Sequence, residues 1–261
     1  MSYVKSGDYV AKVEAMFRQP RFLYEGLRVA FQTTPAFIEE ILPPGLEPGD
    51  APDAYLSIGR WQSAVCGQFD TGSVFFKAQH EGTVGWYNLT MIVSGETPVV
   101  WGREVWGEVK KHGTAGVYRD GNLYHAYAER HGVRLMEIEA ELDQVENDVV
   151  ADTVALEVKA CPSASGVGLE YDPRLLKLGC RSTFRKVVSG TGRLTLRGTP
   201  DDPVDTIPVE KILSVSYAEG ETAYHHIGSS TLCPAQDYLP YFYGRHYDDY
   251  TRFPVAARYK G

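Results

Sequence analysis

Cysteine is scarce in this chain. Cys66, Cys161, Cys180 and Cys233 are its four, widely separated and without a C-x-x-C pair. That spacing argues against a disulfide framework, a zinc knuckle or a dithiol redox centre, and for free thiols in a reducing compartment. Basic charge is also short. Lys and Arg number 26 against 34 Asp and Glu, a net charge of −8. Binding nucleic acid needs a cationic face, so no nucleic-acid partner is expected. No stretch is apolar for the ~18 residues a spanning helix needs, so no membrane partner is expected. Residues 1–20 carry Asp8, Lys12, Glu14 and Arg18 where a secretory leader would be apolar. A cytoplasmic location is the expectation. Histidines at metal-ligand spacing are missing too. His225 and His226 are adjacent, so on a strand they would diverge, and His125 and His131 lack companions. No metal or other cofactor is expected. Ser189-Gly-Thr-Gly runs on into Arg193-Leu194 rather than Lys-Ser/Thr, so it is no phosphate loop.

What is present is a series of short alternating segments. With 261 residues, 43% of them hydrophobic, the chain can bury a sizeable core. Residues 1–20 read as a polar N-terminal arm and 21–261 as a single domain. In Phe22–Thr33, Leu27, Val29 and Phe31 alternate with Arg28, Ala30 and Gln32, a strand pattern. Thr34 and Pro35 then open a short helix that Pro43-Pro44-Gly45 ends. Ala54–Ala64 puts Tyr55, Ser57, Gly59 and Trp61 on one face and Leu56, Ile58 and Arg60 on the other. Ser73–Phe76, Val84–Val93, Val133–Leu142 and Val154–Val158 read as further strands, and Val117–Glu129 as a hairpin about Asp120-Gly121. Asp143–Asp152 reads as an acidic loop and Cys161–Gly168 as a small-residue loop. A hairpin is expected over Arg181–Val188 and Gly192–Gly198, a helix over Val209–Leu213 and a strand over Val215–Ile227. The aromatics of Tyr238–Tyr250 suit a core or a subunit interface. The class is mainly β (α+β), antiparallel, with a few short helices; periodicity does not separate a barrel from a sandwich.

Gly102–Gly113, GREVWGEVKKHG, concentrates the chemistry. Lys110 and Lys111 follow Val99, Val100, Trp101, Val105, Trp106 and Val109. An ordinary lysine, with a pKa of about 10.4, is charged and a poor nucleophile at neutral pH. Apolar surroundings disfavour the ammonium, and a drop of about three to four units frees the amine to form a Schiff base. If the pair lies on a strand, the two side chains leave opposite faces. Desolvation by Trp106 and Val109 is then expected to act on Lys110 more than the charge of Lys111 does.

This segment resembles the lysine-pair segment of the acetoacetate decarboxylase family, in which Gly-Arg-Glu precedes Lys-Lys. Thr34–Leu46, Asp120-Gly-Asn-Leu and Ile207–Leu213 match the family in the same order, over about residues 20 to 245. The resemblance implies an antiparallel β-barrel or cone with an internal cavity, a homo-oligomer and a small-molecule oxo-acid substrate. It implies Lys110 as the Schiff-base nucleophile with Lys111 beside it. Lysine activation of this kind is a known property of the family. Asp70 and Glu104 are candidates for acid–base work, and Tyr24, Ser57, Trp106 and Arg103 for substrate contacts. The family's arginine before the first long strand is replaced by Tyr24. One glutamate position holds Ser57 or Leu56, and a second holds Asp70 or Thr71. These departures point to a lyase of wider scope, decarboxylating another oxo acid or carrying out aldol addition and dehydration. The alternative is a non-catalytic barrel that binds a hydrophobic small molecule.

Overall fold

Strand Asp53–Ser63 shows how alternation divides the molecule. Ala54, Leu56 and Ile58 are wholly buried on one side, while Tyr55, Ser57 and Trp61 face a cavity on the other. The same division repeats along the chain in a computed structural model that describes residues 2–249 and 251. Twelve strands form one sheet: β1 (Arg21–Gln32), β2 (Glu47–Pro48), β3 (Asp53–Ser63), β4 (Gly67–His80), β5 (Thr83–Val93), β6 (Lys110–His112), β7 (Thr114–Asp120), β8 (Leu123–Arg130), β9 (Val133–Glu146), β10 (Val149–Lys159), β11 (Arg174–Leu196) and β12 (Lys211–Thr231). The helices are α1 (Gly7–Arg18), α2 (Pro35–Ile41), α3 (Glu96–Val105) and α4 (Ala235–His246).

Strand β10 pairs with both β5 and β11, so β10-β5-β4-β3-β1-β12-β11 close into a ring. The sheet continues from β11 through β9, β8 and β7, and this flap folds back against the outside of β3 and β4. Between ring and flap lies the main core. Leu27, Val29, Phe31, Leu56, Ile58, Val74 and Phe76 of the ring meet Ala126, Ala128, Leu135, Met136 and Ile138 of the flap. Each large side chain buried there contributes roughly 1.5–3 kcal/mol. The ring's other face keeps its own lining and encloses the cavity.

The sheet is mixed rather than wholly antiparallel. β5 runs parallel to β6 and, further along the same edge, to β10. Helix α3 causes the first of these pairings, because a strand that returns through a crossover arrives parallel. Thr34 caps α2 as its sequence suggests, accepting from Phe37 N at 3.3 Å.

Three local expectations are overturned. The hairpin expected over Arg181–Val188 and Gly192–Gly198 is replaced by one long strand, β11, that runs to Leu196, because Gly190 and Gly192 let the backbone of β9 approach where a Cβ would meet the carbonyls of Glu141 and Glu139. Asp143–Asp152 is mostly strand. β9 and β10 meet in a tight turn with Asp148 at φ 56°, and the acidic side chains point to solvent. Val209–Leu213 is not helical. Glu210 N donates to Gln32 O at 2.9 Å and Lys211 enters β12 beside β1. Five residues cannot offset helix nucleation when a strand edge offers partners.

The polar arm contains α1, capped by Ser6, with no buried residue; Phe17 meets Trp101 edge-on at 5.6 Å. In α4, Tyr238 and Phe242 are core, whereas Tyr243 and, just past the helix, Tyr247 are exposed; Tyr250 lies outside the described residues. Among the described residues no helix is long and apolar enough to cross a membrane.

Candidate active site

The segment from α3 into β6 builds one wall of the cavity. Gly102 O accepts from Trp106 N at 3.1 Å and from Glu108 N at 3.2 Å, ending the helix. Gly107 then turns at φ +77°, a conformation that favours glycine, with its Cα packed on the backbone of Lys159. The turn sets Glu108 and Lys110 on the same side, two residues apart as an extended chain requires. Lys110 Nζ lies 2.7 Å from Glu108 Oε2, and both residues are buried, at 4% and 7% exposure. Gly102 makes room for this pair: a Cβ there would collide with Glu108 Oε2 and come within 2.6 Å of Lys110 Nζ. The first glycine of GREVWGEVKKHG therefore has a steric reason.

The cavity beside this pair has a volume of about 360 Å³ and receives side chains from every strand of the ring. Around Lys110 the walls are aromatic. Phe69 lies 5.6 Å from the amine, Trp106 packs on Trp101 at 4.5 Å and on Tyr224 at 5.1 Å, and Phe22 closes the cluster. Its hydroxyl and thiol groups are held neutral. Burial raises the pKa of Tyr24 despite a 2.9 Å hydrogen bond with Ser57. Burial likewise raises Tyr224 and pushes the Cys180 thiol up to about 12. Glu157, 4% exposed, is the second carboxyl of the cavity. Burial raises its pKa well above the usual range, and the charge of Glu108 adds to the effect. The shift favours the neutral carboxylic acid, the form that can donate a proton.

Lys111 leaves the other face, as strand geometry anticipates. Its ammonium donates to Asp201 O at 2.7 Å and Asp202 Oδ1 at 2.9 Å, with Asp248 Oδ1 at 3.6 Å. Arg130 bridges the same two carboxylates at 2.6 and 2.7 Å.

The other residues singled out in the sequence divide between the two faces. Tyr24, Ser57 and Trp106 line the cavity, as does Thr71, whose hydroxyl accepts from Trp61 Nε1 at 3.0 Å. Leu56 and Asp70 are turned away. Leu56 is core, and Asp70 pairs with Arg60 at 3.1 Å. Glu104 is exposed on α3, and Arg103 stacks its guanidinium on Tyr247 at 5.3 Å. Neither lines the cavity. Glu108, Glu157 and Arg28 are cavity residues that the pattern of the sequence did not single out.

A family model for acetoacetate decarboxylase matches residues 10–228. The chain belongs to the acetoacetate decarboxylase family. Among curated members, it is similar to an acetoacetate decarboxylase of Chromobacterium violaceum, with 30% identity over 89 residues. That match covers 34% of this chain and 36% of the relative. The family's fold is shared with solved structures. Acetoacetate decarboxylase of Legionella pneumophila superposes with a TM-score of 0.71 at 18% identity, over 80% of this chain and 87% of that one. MppR, an enduracididine biosynthesis enzyme solved with the condensation product of pyruvate and imidazole 4-carboxaldehyde, gives 0.71 at 20% identity, over 84% and 90%. An acetoacetate decarboxylase-like enzyme from Sphingomonas wittichii gives 0.68 at 16%, over 84% and 94%.

Proposed function

We propose that this protein is a Schiff-base-forming lyase acting on an oxo acid through Lys110. One observation carries the reading: a primary amine, the only one on the cavity wall among the described residues, 4% exposed, with a carboxylate 2.7 Å away. Glu108 takes the proton that Lys110 must lose before attack. The neutral amine adds to the substrate carbonyl, and Glu157, as the neutral acid, protonates the departing hydroxyl so that it leaves as water. The iminium then accepts the electron pair released when a C–C or an α C–H bond breaks. The resulting enamine is protonated or attacks an aldehyde, and hydrolysis frees the product and restores the amine.

Three neutral side chains, Tyr24, Ser57 and Thr71, stand on the inner wall where the family has charge. An arginine would hold an adjacent carboxylate by charge-assisted hydrogen bonds, whereas Tyr24 offers one neutral donor. The chemistry therefore suits a substrate other than acetoacetate, by decarboxylation or by the aldol-type condensation whose product MppR holds. The aromatic lining also supports a second reading, a cavity that binds a hydrophobic molecule without a covalent step. One experiment separates them. The protein is incubated with pyruvate or acetoacetate, reduced with borohydride, and the adduct mapped by peptide mass. An adduct on Lys110 is expected; an adduct on another lysine, or none with any oxo acid, overturns the lyase reading. In parallel, carbon dioxide release from acetoacetate should be slow relative to condensation of pyruvate with an aromatic aldehyde.

A further inference from the structure

Arg28 is the one charged group of the cavity wall, among the described residues, that has no counter-charge. Glu108 is taken by Lys110, and burial shifts Glu157 toward its neutral form. The guanidinium of Arg28 lies 3.7 Å from the centroid of Tyr55 and 5.9 Å from that of Trp86. Stacking covers its flat face and leaves its N–H edge for an acceptor. Among the described residues its side chain makes no ion pair and no hydrogen bond. A half-buried cation on a cavity wall without an anionic partner is a ready site for one, and a ligand anion would supply charge-assisted hydrogen bonds to it.

The register fixes where this cation sits relative to the amine. Lys110 pairs with Met91, Met91 with Ser73, Ser73 with Ser57, and Ser57 with Arg28. All five line the cavity. Four strand steps of about 4.8 Å make roughly 19 Å along the wall. In a ring of seven strands that sets the two backbones on facing sides, and the guanidinium reaches Trp86, which lies along β5 from the Met91 that pairs with Lys110, on the order of 16 Å away at about 3.3 Å per residue. Between the two charges the lining is apolar or neutral, including Tyr55, Phe75 and Met91.

We propose that Arg28 anchors the carboxylate of the substrate at the pole opposite Lys110, so that the cavity selects a long oxo acid whose carboxylate and reacting carbonyl are separated by an apolar spacer. The carbonyl end rests on the Schiff-base reading above; the anion end does not. Pyruvate and acetoacetate, with carboxylate and carbonyl at most one carbon apart, cannot reach both poles.

Two measurements test this on the full chain. In the first, borohydride trapping rates are compared for 8-oxononanoate and its neutral analogue 2-nonanone. Wild type should favour the acid, and Arg28→Gln should lower the acid-to-ketone ratio by about ten- to a hundredfold. Arg28→Lys should retain part of the preference. An unchanged ratio in Arg28→Gln overturns the proposal, as does a wild type that traps pyruvate in preference to the long acid. In the second, nonanoate, which has no carbonyl, is titrated calorimetrically into Lys110→Ala and into Lys110→Ala/Arg28→Gln. Binding should survive the first substitution and weaken about tenfold or more with the second. Equal binding to both overturns the anchor. Should no oxo compound form an adduct, the Schiff-base reading fails, while the nonanoate titration still decides the role of Arg28.

Discussion

Lys110 and Lys111 are adjacent in sequence and equally buried, at 4% and 5% exposure, yet their surroundings differ in kind. Lys110 meets a single carboxylate and borders a cavity. Lys111 shares Asp202 and Asp248 with Arg130, two cations set against two anions, and it is not among the residues that line the cavity. One residue of strand sends the two ammonium groups to opposite faces of the sheet. Burial alone therefore does not distinguish a reactive lysine from a structural one. Access to a cavity does, together with a lone proton acceptor.

The sharpest way to break this comparison is to remove each amine in turn. Lys110→Met should abolish borohydride-trapped adduct with every oxo acid, whereas Lys111→Met should still form it. If the adduct persists in Lys110→Met and vanishes in Lys111→Met, the assignment of the two lysines is reversed. Stability should move the other way. Lys111→Met leaves Arg130 alone against two buried carboxylates, an excess negative charge expected to cost about 3–5 kcal/mol in urea unfolding. Lys110→Met also unpairs Glu108, but that carboxylate borders a cavity that water can enter. Its cost should be smaller, about 1–2 kcal/mol. Equal losses in the two variants would mean that both ion pairs are closed alike.

Much of this arrangement is legible in the sequence. The alternation in β3 separates its two faces correctly, and the rule that neighbours on a strand diverge separates Lys110 from Lys111. The same period of two, applied to Glu108 and Lys110, would have placed that carboxylate beside the amine. Instead the polar members of the motif drew attention to Glu104 and Arg103, which α3 carries to its outer surface. A helix over Glu96–Val105 was not legible. Its N-cap is Gly95, without a side-chain cap bond, and it holds Pro98 and two adjacent valines. Arg28 alternates against Leu27 and Val29 just as a solvent-facing residue would. Only the closing of the ring turns that face inward, and closure depends on β10 pairing with β5, which lies far back in sequence. Glu157 did leave a trace, a lone charge inside the apolar run Val154–Val158.

A smaller test probes the space that the motif's first glycine reserves. Gly102→Ala introduces a methyl that meets Glu108 Oε2 and lies 2.6 Å from Lys110 Nζ. Alanine suits a helix, so the backbone gains slightly, but overpacking costs about 1–3 kcal/mol and displaces the ion pair. The adduct-forming rate should fall about tenfold to a hundredfold, because a misplaced nucleophile loses its alignment. An unaltered rate would show that the Glu108–Lys110 contact is not needed for amine reactivity.

The last test uses pH, because the carboxyls near the two lysines should respond with opposite sign. Asp248, beside Lys111, feels an upward push from burial that the hydrogen bond and charge of Arg130 outweigh, leaving it at about 2. Its contribution is present above the usual carboxylate value and is lost as pH falls through about 2. Glu157 is shifted the other way, by burial first and then by the charge of Glu108. The folded protein keeps a proton that the unfolded chain has already released. Its contribution is therefore complete below the ordinary value of 4.5 and declines as pH rises toward the folded value. The slope there is about 1.4 kcal/mol per pH unit. Glu157→Gln keeps the volume and the neutral state but cannot titrate. Urea unfolding of wild type and variant across neutral pH should thus give curves that diverge, with wild type losing ground as pH increases. Parallel curves would mean that Glu157 is ionised in the folded protein. The cavity would then hold two carboxylates and no acid, and the proton for the departing water would have to come from elsewhere.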